Sequence, residues 1–210
     1  MRDARLHPPT SREDLQRRLA EDGYVVLRRA VEPEKVKAAL RFLNLAIRRH
    51  GLTADEIAAC QGATFFPHLR WEPEIWDALP PQAAELLGWQ EGDDWGDPQL
   101  LLRFPDEEQD WPLTPHVDQP PEWAGAEGYR GIVGVALTTA GAADGTVCVW
   151  PRSHRGTPEE RVLVPLEAGD ALVMHPQLEH AGTLNSGATI RTSVYFRLVA
   201  GGRAARSAQR

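Results

Sequence analysis

The spacing of apolar and polar positions changes about halfway along the chain. In the first part, Leu15 and Leu19 lie one helical turn apart, which predicts a helix over 11–22. Ser11 suits the N-cap of this helix and Gly23 suits its end, since serine side chains cap orphan N–H groups and glycine tolerates the left-handed conformation of a C-terminal cap. The chain therefore opens with an amphipathic helix.

The next segments alternate between an apolar run and helical patterns. The β-branched run at 24–28 predicts a strand, and the pattern after it predicts a long helix that begins near Pro33 and ends at Gly51. A further short helix is expected at 53–60. Four tryptophans stand among many prolines at 66–98, which is typical of short helices and loops rather than strands.

From residue 98 onward the pattern is one of short strands divided by turn residues. The expected strands are QLLLRF, RGIVGVALTT, GTVCVW, RVLV, GDALVMH and ATIRTSVYFRL. Asp144-Gly145 lies between two apolar runs and predicts a hairpin with a type I′ turn. Regular strand spacing of this kind predicts an antiparallel sandwich or barrel.

The last of these strands carries polar residues on one face and apolar residues on the other. In an ordinary sandwich, the apolar face would point inward. Its alternation separates Arg191, Ser193, Tyr195 and Arg197 from Ile190, Val194, Phe196 and Leu198. In a barrel whose interior is an active site, the polar face of a strand turns inward. We therefore expect this polar face to line a site, and the alternative is a polar face exposed to solvent.

Composition limits the classes of function. A chain of 210 residues with 42% hydrophobic residues suits one globular domain. The net charge of −7 disfavours nucleic acid and anionic membrane as partners, because both repel an acidic protein. The two cysteines lack metal-site spacing, and no run of about 18 apolar residues occurs. A soluble cytoplasmic protein is expected, and the oligomeric state is left open.

Candidate chemistry lies in the second half of the chain. His116 and Asp118 are two residues apart, which on an extended chain places both side chains on one face. His180 follows a predicted strand, and Arg191 with Ser193 lies on the next one. Two imidazoles and one carboxylate leave three of six metal positions open, as in non-haem Fe(II) oxygenases. The arginine fork suits a carboxylate partner.

Four motifs, in order, resemble those of the phytanoyl-CoA dioxygenase family of Fe(II)/2-oxoglutarate-dependent oxygenases. They are EDGYVVLRRAVEPEKVKAALRFL, HVD, DGTVCVWPRSHRG and GDALVMHPQLEHAGTLNSGATIRTSVYFRL. Each motif alone is weak, but their order over nearly the whole chain is specific. The resemblance implies a mainly β fold with flanking helices, a double-stranded β-helix (jelly-roll, cupin-like) barrel. It also implies one oxygenase domain over 1–210, with a helical part at 11–95, a barrel at 96–199 and a disordered tail at 200–210.

The resemblance also implies roles for particular residues. Iron is expected on His116, Asp118 and His180, which form both the metal site and the catalytic set. Arg191 is expected to bind the C5 carboxylate of 2-oxoglutarate, assisted by Ser193.

Other assignments on these strands compete or are secondary. Arg103 and Gln99, which share a face of QLLLRF, are candidates for the C1 end of the co-substrate. His175 is the competing distal ligand, but the family spacing of eleven positions from histidine to arginine is met by His180. Trp123 and Trp150 are candidate pocket residues.

The implied activity is oxidation of a small molecule, chiefly hydroxylation, with O2 consumed and succinate and CO2 released. Asp118 provides the carboxylate that halogenating relatives lack, and no basic patch for a CoA phosphate is evident. The Trp-rich segment 65–98 is interpreted as a lid or substrate wall. Two rivals are a cupin-like metal-dependent isomerase or epimerase, which would need neither 2-oxoglutarate nor Arg191, and a catalytically silent ligand-binding barrel.

Overall fold

Two antiparallel sheets and a layer of helices make up the computed structural model, which describes residues 11–52, 72–105, 114–119 and 128–201. The described helices are α1 (Arg12–Asp22), α2 (Pro33–His50), α3 (Pro73–Trp76) and α4 (Gln82–Leu86). The strands are β1 (Tyr24–Leu27), β2 (Asp94–Trp95), β3 (Gln99–Arg103), β4 (Tyr129–Ala136), β5 (Val147–Val149), β6 (Val162–Val164), β7 (Ala171–Met174), β8 (His180–Gly182) and β9 (Arg191–Val199). The helix expected at 53–60 lies outside the described residues.

The strands form one large and one small sheet. The large sheet has the order β1-β7-β4-β9-β2, with β3 also paired to β9, and the small sheet has the order β6-β5-β8. This arrangement confirms the predicted mainly β jelly-roll class with flanking helices. The two sheets are not closed into a barrel: within the described ranges, isolated bridges such as Ala140 with Leu166 accompany the two separate ladders.

Helix α1 shows why its sequence boundaries were predictable. The Ser11 hydroxyl accepts a hydrogen bond from the Asp14 backbone N–H at 3.1 Å, which satisfies one of the orphan donors of the first turn. Gly23 ends the helix with φ 86°, a left-handed conformation that a side chain disfavours. The predicted helix is confirmed.

Helix α2 covers the outer face of the large sheet. Its buried residues recur at helical spacing as Val36, Ala39, Leu43 and Ala46. These residues join a cluster that includes Val133 of β4 and Phe196 of β9. This cluster is the larger of two cores and fixes the large sheet from outside.

A second core lies between the two sheets, and β9 contributes to both cores by alternation. Val194 and Phe196 belong to the outer core, whereas Tyr195 packs in the inner one beside Ile132 and Met174. The face of β9 that carries Arg191, Ser193, Tyr195 and Arg197 therefore turns toward the small sheet. The expected inward orientation of this face is confirmed.

The hairpin predicted at Asp144-Gly145 is wrong. Strand β4 lies in the large sheet and β5 in the small one, so the chain between them crosses from sheet to sheet. Gly145 has φ 72°, but Asp144 does not share a positive φ, and a type I′ turn requires both. Asp144 instead forms an isolated bridge with Asn185. The turn residues were read correctly, but their sequence does not specify which strands they join.

Two tryptophans of the Trp-rich segment pack against the outer core. The rings of Trp76 and Trp95 contact Phe196, with centroids 5.6 Å and 6.4 Å apart. Phe196 faces the helices rather than the inter-sheet space. Interpreting these two side chains as a substrate wall is therefore wrong. The expectation of short helices is confirmed by α3 and α4, while the short strand β2 was not predicted.

His154 and His175 form a ring pair where α1 meets the strands. Their ring centroids are 4.7 Å apart. His154 Nε2 lies 3.1 Å from the Ala20 carbonyl oxygen, and the His175 backbone N–H donates to Gly23 at 2.8 Å. Burial, and then the charge of His154, lower the pKa of His175 from 6.5 to about 4. His175 is therefore neutral in the folded protein at neutral pH.

This lowered pKa predicts loss of stability in mild acid. In the unfolded chain His175 binds a proton as pH falls through about 6.5, whereas in the folded protein it does so only near 4. The unfolded state thus takes up more protons in this window, so the free energy of unfolding falls between those two values. We expect His175→Gln to show a shallower decline of the thermal midpoint from pH 7 to 4.5 than the parent protein.

The matched control is His50→Gln, which changes an exposed histidine at the end of α2. It should keep the pH dependence of the parent. Equal slopes for His175→Gln and the parent protein would contradict the assignment.

Among the described helices, none has the length and apolarity needed to cross a bilayer.

Candidate metal centre

His116 and His180 are brought together by direct backbone pairing. The His116 N–H donates to the His180 carbonyl at 3.0 Å, and the His180 N–H donates to the His116 carbonyl at 3.0 Å. In such an antiparallel bridge, opposed side chains project to the same side. Their ring centroids are 4.5 Å apart. One antiparallel bridge thus brings together two histidines that are 64 positions apart in the sequence.

Both imidazoles are oriented by the carbonyl two residues earlier. His116 Nδ1 lies 3.1 Å from the Thr114 oxygen, and His180 Nδ1 lies 2.9 Å from the Leu178 oxygen. A carbonyl accepts only, so each Nδ1 carries the proton and each Nε2 keeps its lone pair. Burial lowers the pKa of His180, which favours the neutral ring. In both rings, Nε2 is therefore the nitrogen available to a metal ion.

Asp118 completes a three-residue cluster with these rings. Its Oδ1 lies 3.8 Å from His116 Nε2 and 3.9 Å from His180 Nε2. One ligand atom from each residue lies within 4.8 Å of the other two. Separations of this size leave space for one ion between the three atoms. The structure therefore brings together the three residues that the sequence assigned to iron.

The other carboxylate oxygen of Asp118 has a separate partner. Arg197 Nη2 donates to Asp118 Oδ2 at 2.9 Å and to Gln99 Oε1 at 2.9 Å. Sequence reasoning placed Arg197 on the inward face of β9 but gave it no role. It placed Gln99 at the co-substrate, whereas the structure places the Gln99 amide beside Arg197. The co-substrate role of Gln99 stays a prediction.

Arg191 and Arg103 form a second feature of the inter-sheet space. They are direct cross-strand partners on β9 and β3. Arg191 is only 4% exposed, and its Nε has no hydrogen-bond partner. Burial, and then the charge of Arg191, lower the pKa of Arg103. In the described part of the chain, neither guanidinium forms an ion pair with a carboxylate.

This pair of cations is suited to an anion. Two like charges at cross-strand distance destabilise each other, and a buried charge without a partner costs free energy. An entering carboxylate would relieve both penalties and accept parallel hydrogen bonds. Ser193, 5% exposed and two residues beyond Arg191, follows on the same face.

Gly182 lies between the arginine pair and the three-residue cluster of His116, Asp118 and His180. A Cβ atom at position 182 would lie 2.6 Å from Arg103 Nη2, so any side chain there would require this guanidinium to shift. Gly182 is two residues beyond His180 on β8, a step of about 7 Å along a strand. Arg103 therefore reaches across the inter-sheet space toward the cluster. This closeness follows from the pairing of distant strands, so no sequence pattern signals it.

The remaining candidates are not members of the cluster or lie outside the described residues. His175, the competing ligand, packs against His154. Trp150 extends the small sheet through a backbone N–H bond to Glu179 at 3.0 Å, and Trp123 lies outside the described residues. Asn185 donates to the Arg103 and Thr189 carbonyl oxygens at 2.8 Å each. It fixes the backbone from which Arg103 projects.

Comparison with known proteins places the site in a family context. Residues 108–193 match the family model described as Phytanoyl-CoA dioxygenase. The resemblance recognised in the sequence is therefore confirmed. No curated protein matches the chain.

Solved structures share the fold over most of the chain. AviO1 from Streptomyces viridochromogenes Tue57 is 19% identical, with a TM-score of 0.66 over 90% of this chain and 95% of AviO1. The non-haem alpha-ketoglutarate-dependent epimerase SnoN from nogalamycin biosynthesis is 21% identical, with a TM-score of 0.70 over 91% of this chain and 81% of SnoN. The nickel complex of the non-haem monooxygenase ThoJ is 26% identical, with a TM-score of 0.65 over 89% of this chain and 77% of ThoJ.

Proposed function

From the relationship to the phytanoyl-CoA dioxygenase family, we propose that this chain is an Fe(II)- and 2-oxoglutarate-dependent oxygenase that oxidises a small molecule. The observation that carries the proposal is the convergence of His116, Asp118 and His180 on one point. The solved relatives support the same cofactors, since one SnoN structure is a complex with Fe3+, alpha ketoglutarate and nogalamycin RO.

The residues fit the implied metal and co-substrate on independent grounds. Two neutral imidazoles and one carboxylate are the donor set of non-haem Fe(II) oxygenases. Both rings are already oriented by carbonyl oxygens on the far nitrogen, as ligating histidines usually are. The paired guanidiniums of Arg103 and Arg191 match a carboxylate. Metal donors and an anion site thus occupy one inter-sheet space.

Each part of the site has a defined task in this reaction. When bound, iron supplies the redox chemistry that couples O2 and conversion of 2-oxoglutarate to succinate and CO2 with oxidation of the substrate. His116, Asp118 and His180 hold the ion. Arg191, assisted by Ser193, binds the C5 carboxylate of 2-oxoglutarate, and Arg103 is the candidate for its C1 end. Because these arginines are buried, the carboxylate is held away from water, where its ion pairs are stronger.

The class of oxidation is the finer part of the proposal. Hydroxylation is the simplest outcome, and it would raise the substrate mass by one oxygen atom. The structural relatives also include an epimerase and a carbocyclase from nogalamycin biosynthesis. A screen of metabolite extracts for substrate-stimulated succinate release, followed by mass analysis of the product, separates these outcomes. A product with the same mass as the substrate would indicate epimerisation instead of hydroxylation.

A spectroscopic titration tests the cofactor assignment. Fe(II) and 2-oxoglutarate added together without oxygen should produce a visible charge-transfer absorption that neither produces alone. Admission of air should then release succinate. Absence of both signals would favour a cupin-like isomerase or epimerase that needs no 2-oxoglutarate. If ligand binding by the protein persisted unchanged in Asp118→Ala, a catalytically silent binding protein would be favoured instead.

A further inference from the structure

We propose that Arg197 is a positioning residue, which holds the Asp118 carboxylate so that only one of its oxygens faces the metal. The inference rests on the metal site proposed above. The two oxygens of the Asp118 carboxylate have different partners. Oδ1 faces the two imidazoles, while Oδ2 accepts a hydrogen bond from Arg197 at 2.9 Å. Nothing in the sequence pattern assigns this task to Arg197.

Arg197 is itself fixed from both neighbouring strands. On the β3 side, its Nη2 also donates to Gln99 Oε1 at 2.9 Å. On the β4 side, its guanidinium lies over the Tyr129 ring, 5.9 Å from the centroid, within the range of a cation–π contact. With its side chain 22% exposed and that of Asp118 12% exposed, the pair is shielded enough for its geometry to be maintained.

The orientation matters because carboxylates bind metal ions through one oxygen or two. Three single-atom protein donors leave three of six positions on iron for other ligands. A carboxylate free to rotate could use both oxygens and occupy one of those three. A hydrogen bond that holds Oδ2 away favours binding through Oδ1 alone. Arg197 thereby preserves the open positions that the proposed reaction needs.

The charge of Arg197 acts in the opposite direction from its hydrogen bond. A guanidinium beside the site repels an entering cation, so removal of the charge alone should tighten metal binding. Loss of the orienting hydrogen bond should weaken it, since removal of such outer partners typically costs 10- to 100-fold in metal affinity. The two roles of the side chain therefore predict changes of opposite sign.

The test uses Co(II), a redox-stable probe, with metal-free full-length protein. Arg197→Met removes both charge and donors, and we expect it to bind Co(II) about 10- to 100-fold more weakly. Arg197→Lys keeps a charge and a donor and should recover most of this loss. The visible spectrum of bound Co(II), which responds to coordination number, should change in Arg197→Met and return toward the parent spectrum in Arg197→Lys. Equal or tighter binding by Arg197→Met with the same Co(II) spectrum as the parent would overturn the inference.

Two controls make the result specific. Arg28→Met breaks another arginine–aspartate pair, with Asp170 at 2.6 Å, that contains no member of the cluster, and it should leave Co(II) affinity unchanged. If Arg197→Met does not fold, Gln99→Met provides the second variant. It loosens Arg197 without removing it and should weaken Co(II) binding by about three- to tenfold, toward the lower end of outer-partner effects. Unchanged affinity in Gln99→Met would then overturn the inference.

Failure of this inference is distinguishable from failure of the proposed function. If the parent protein does not bind one Co(II) per chain, the metal site itself is wrong. If the parent binds Co(II) and Arg197→Met binds it equally well with the same spectrum, only the role of Arg197 is wrong. Thermal unfolding of each variant without metal shows whether it is folded before affinities are compared.

Discussion

Asp118→Gly is expected to abolish succinate formation from 2-oxoglutarate. This substitution removes the carboxylate whose Oδ1 lies within 4 Å of both imidazole Nε2 atoms. Two neutral imidazoles that remain offer no negative charge to a divalent cation, so we expect at least a 100-fold loss in Fe(II) affinity, at or beyond the upper end of outer-partner effects. Succinate release under air and Co(II) binding without air measure the two effects separately.

Asp118→Asn is the matched comparison for this loss. Asparagine keeps the shape of the side chain and an oxygen that can accept from Arg197, but it removes the negative charge. If the charge is what holds the ion, Asn should be nearly as inactive as Gly. Full activity in either variant would place the third ligand elsewhere in the chain.

Arg191→Met is expected to weaken 2-oxoglutarate binding by about 2 to 5 kcal/mol, the range for removal of one side of a buried charge pair. This corresponds to a roughly 30- to several-thousand-fold higher dissociation constant. The buried guanidinium, 4% exposed with an unpartnered Nε, is the donor that the distal carboxylate would lose. Calorimetric titration of 2-oxoglutarate into the Co(II)-loaded protein measures the change, and Co(II) affinity should be unaltered.

A second readout separates this role from a structural one. Without co-substrate, Arg191 faces Arg103 across the strands with no described counter-charge, and replacing a buried unpaired charge by an apolar side chain is often neutral or stabilising. We therefore expect Arg191→Met to keep or raise the thermal midpoint of the ligand-free protein while it loses co-substrate affinity. Unchanged 2-oxoglutarate binding would remove Arg191 from this role.

Local signals in the sequence were sufficient for most of the helices and strands and for a candidate ligand set. The Ser11 cap and the Gly23 stop predicted α1, and the strict alternation in β9 predicted its polar face. Both features depend only on residues that are neighbours in the sequence. The three candidate metal ligands followed from the type and order of their motifs. Their convergence depends on the bridge between His116 and His180.

Contacts between distant strands were not predictable in the same way. The opposition of Arg103 and Arg191 depends on the register of β3 on β9, and the closeness of Arg103 to Gly182 depends on the spacing of two sheets. The hairpin prediction at Asp144-Gly145 failed for the same reason, since turn residues carry no information on which sheet the next strand joins. Trp76 and Trp95 were misplaced because large aromatic residues suit either a core or a pocket.

The most direct measurement is a crystal structure of the Co(II)-loaded protein with anomalous diffraction at the cobalt edge. The account predicts one ion bonded to His116 Nε2, His180 Nε2 and a single oxygen of Asp118, with Arg197 still on the other oxygen. An ion bound elsewhere, or three side chains that stay too far apart to share one ion, would contradict the account.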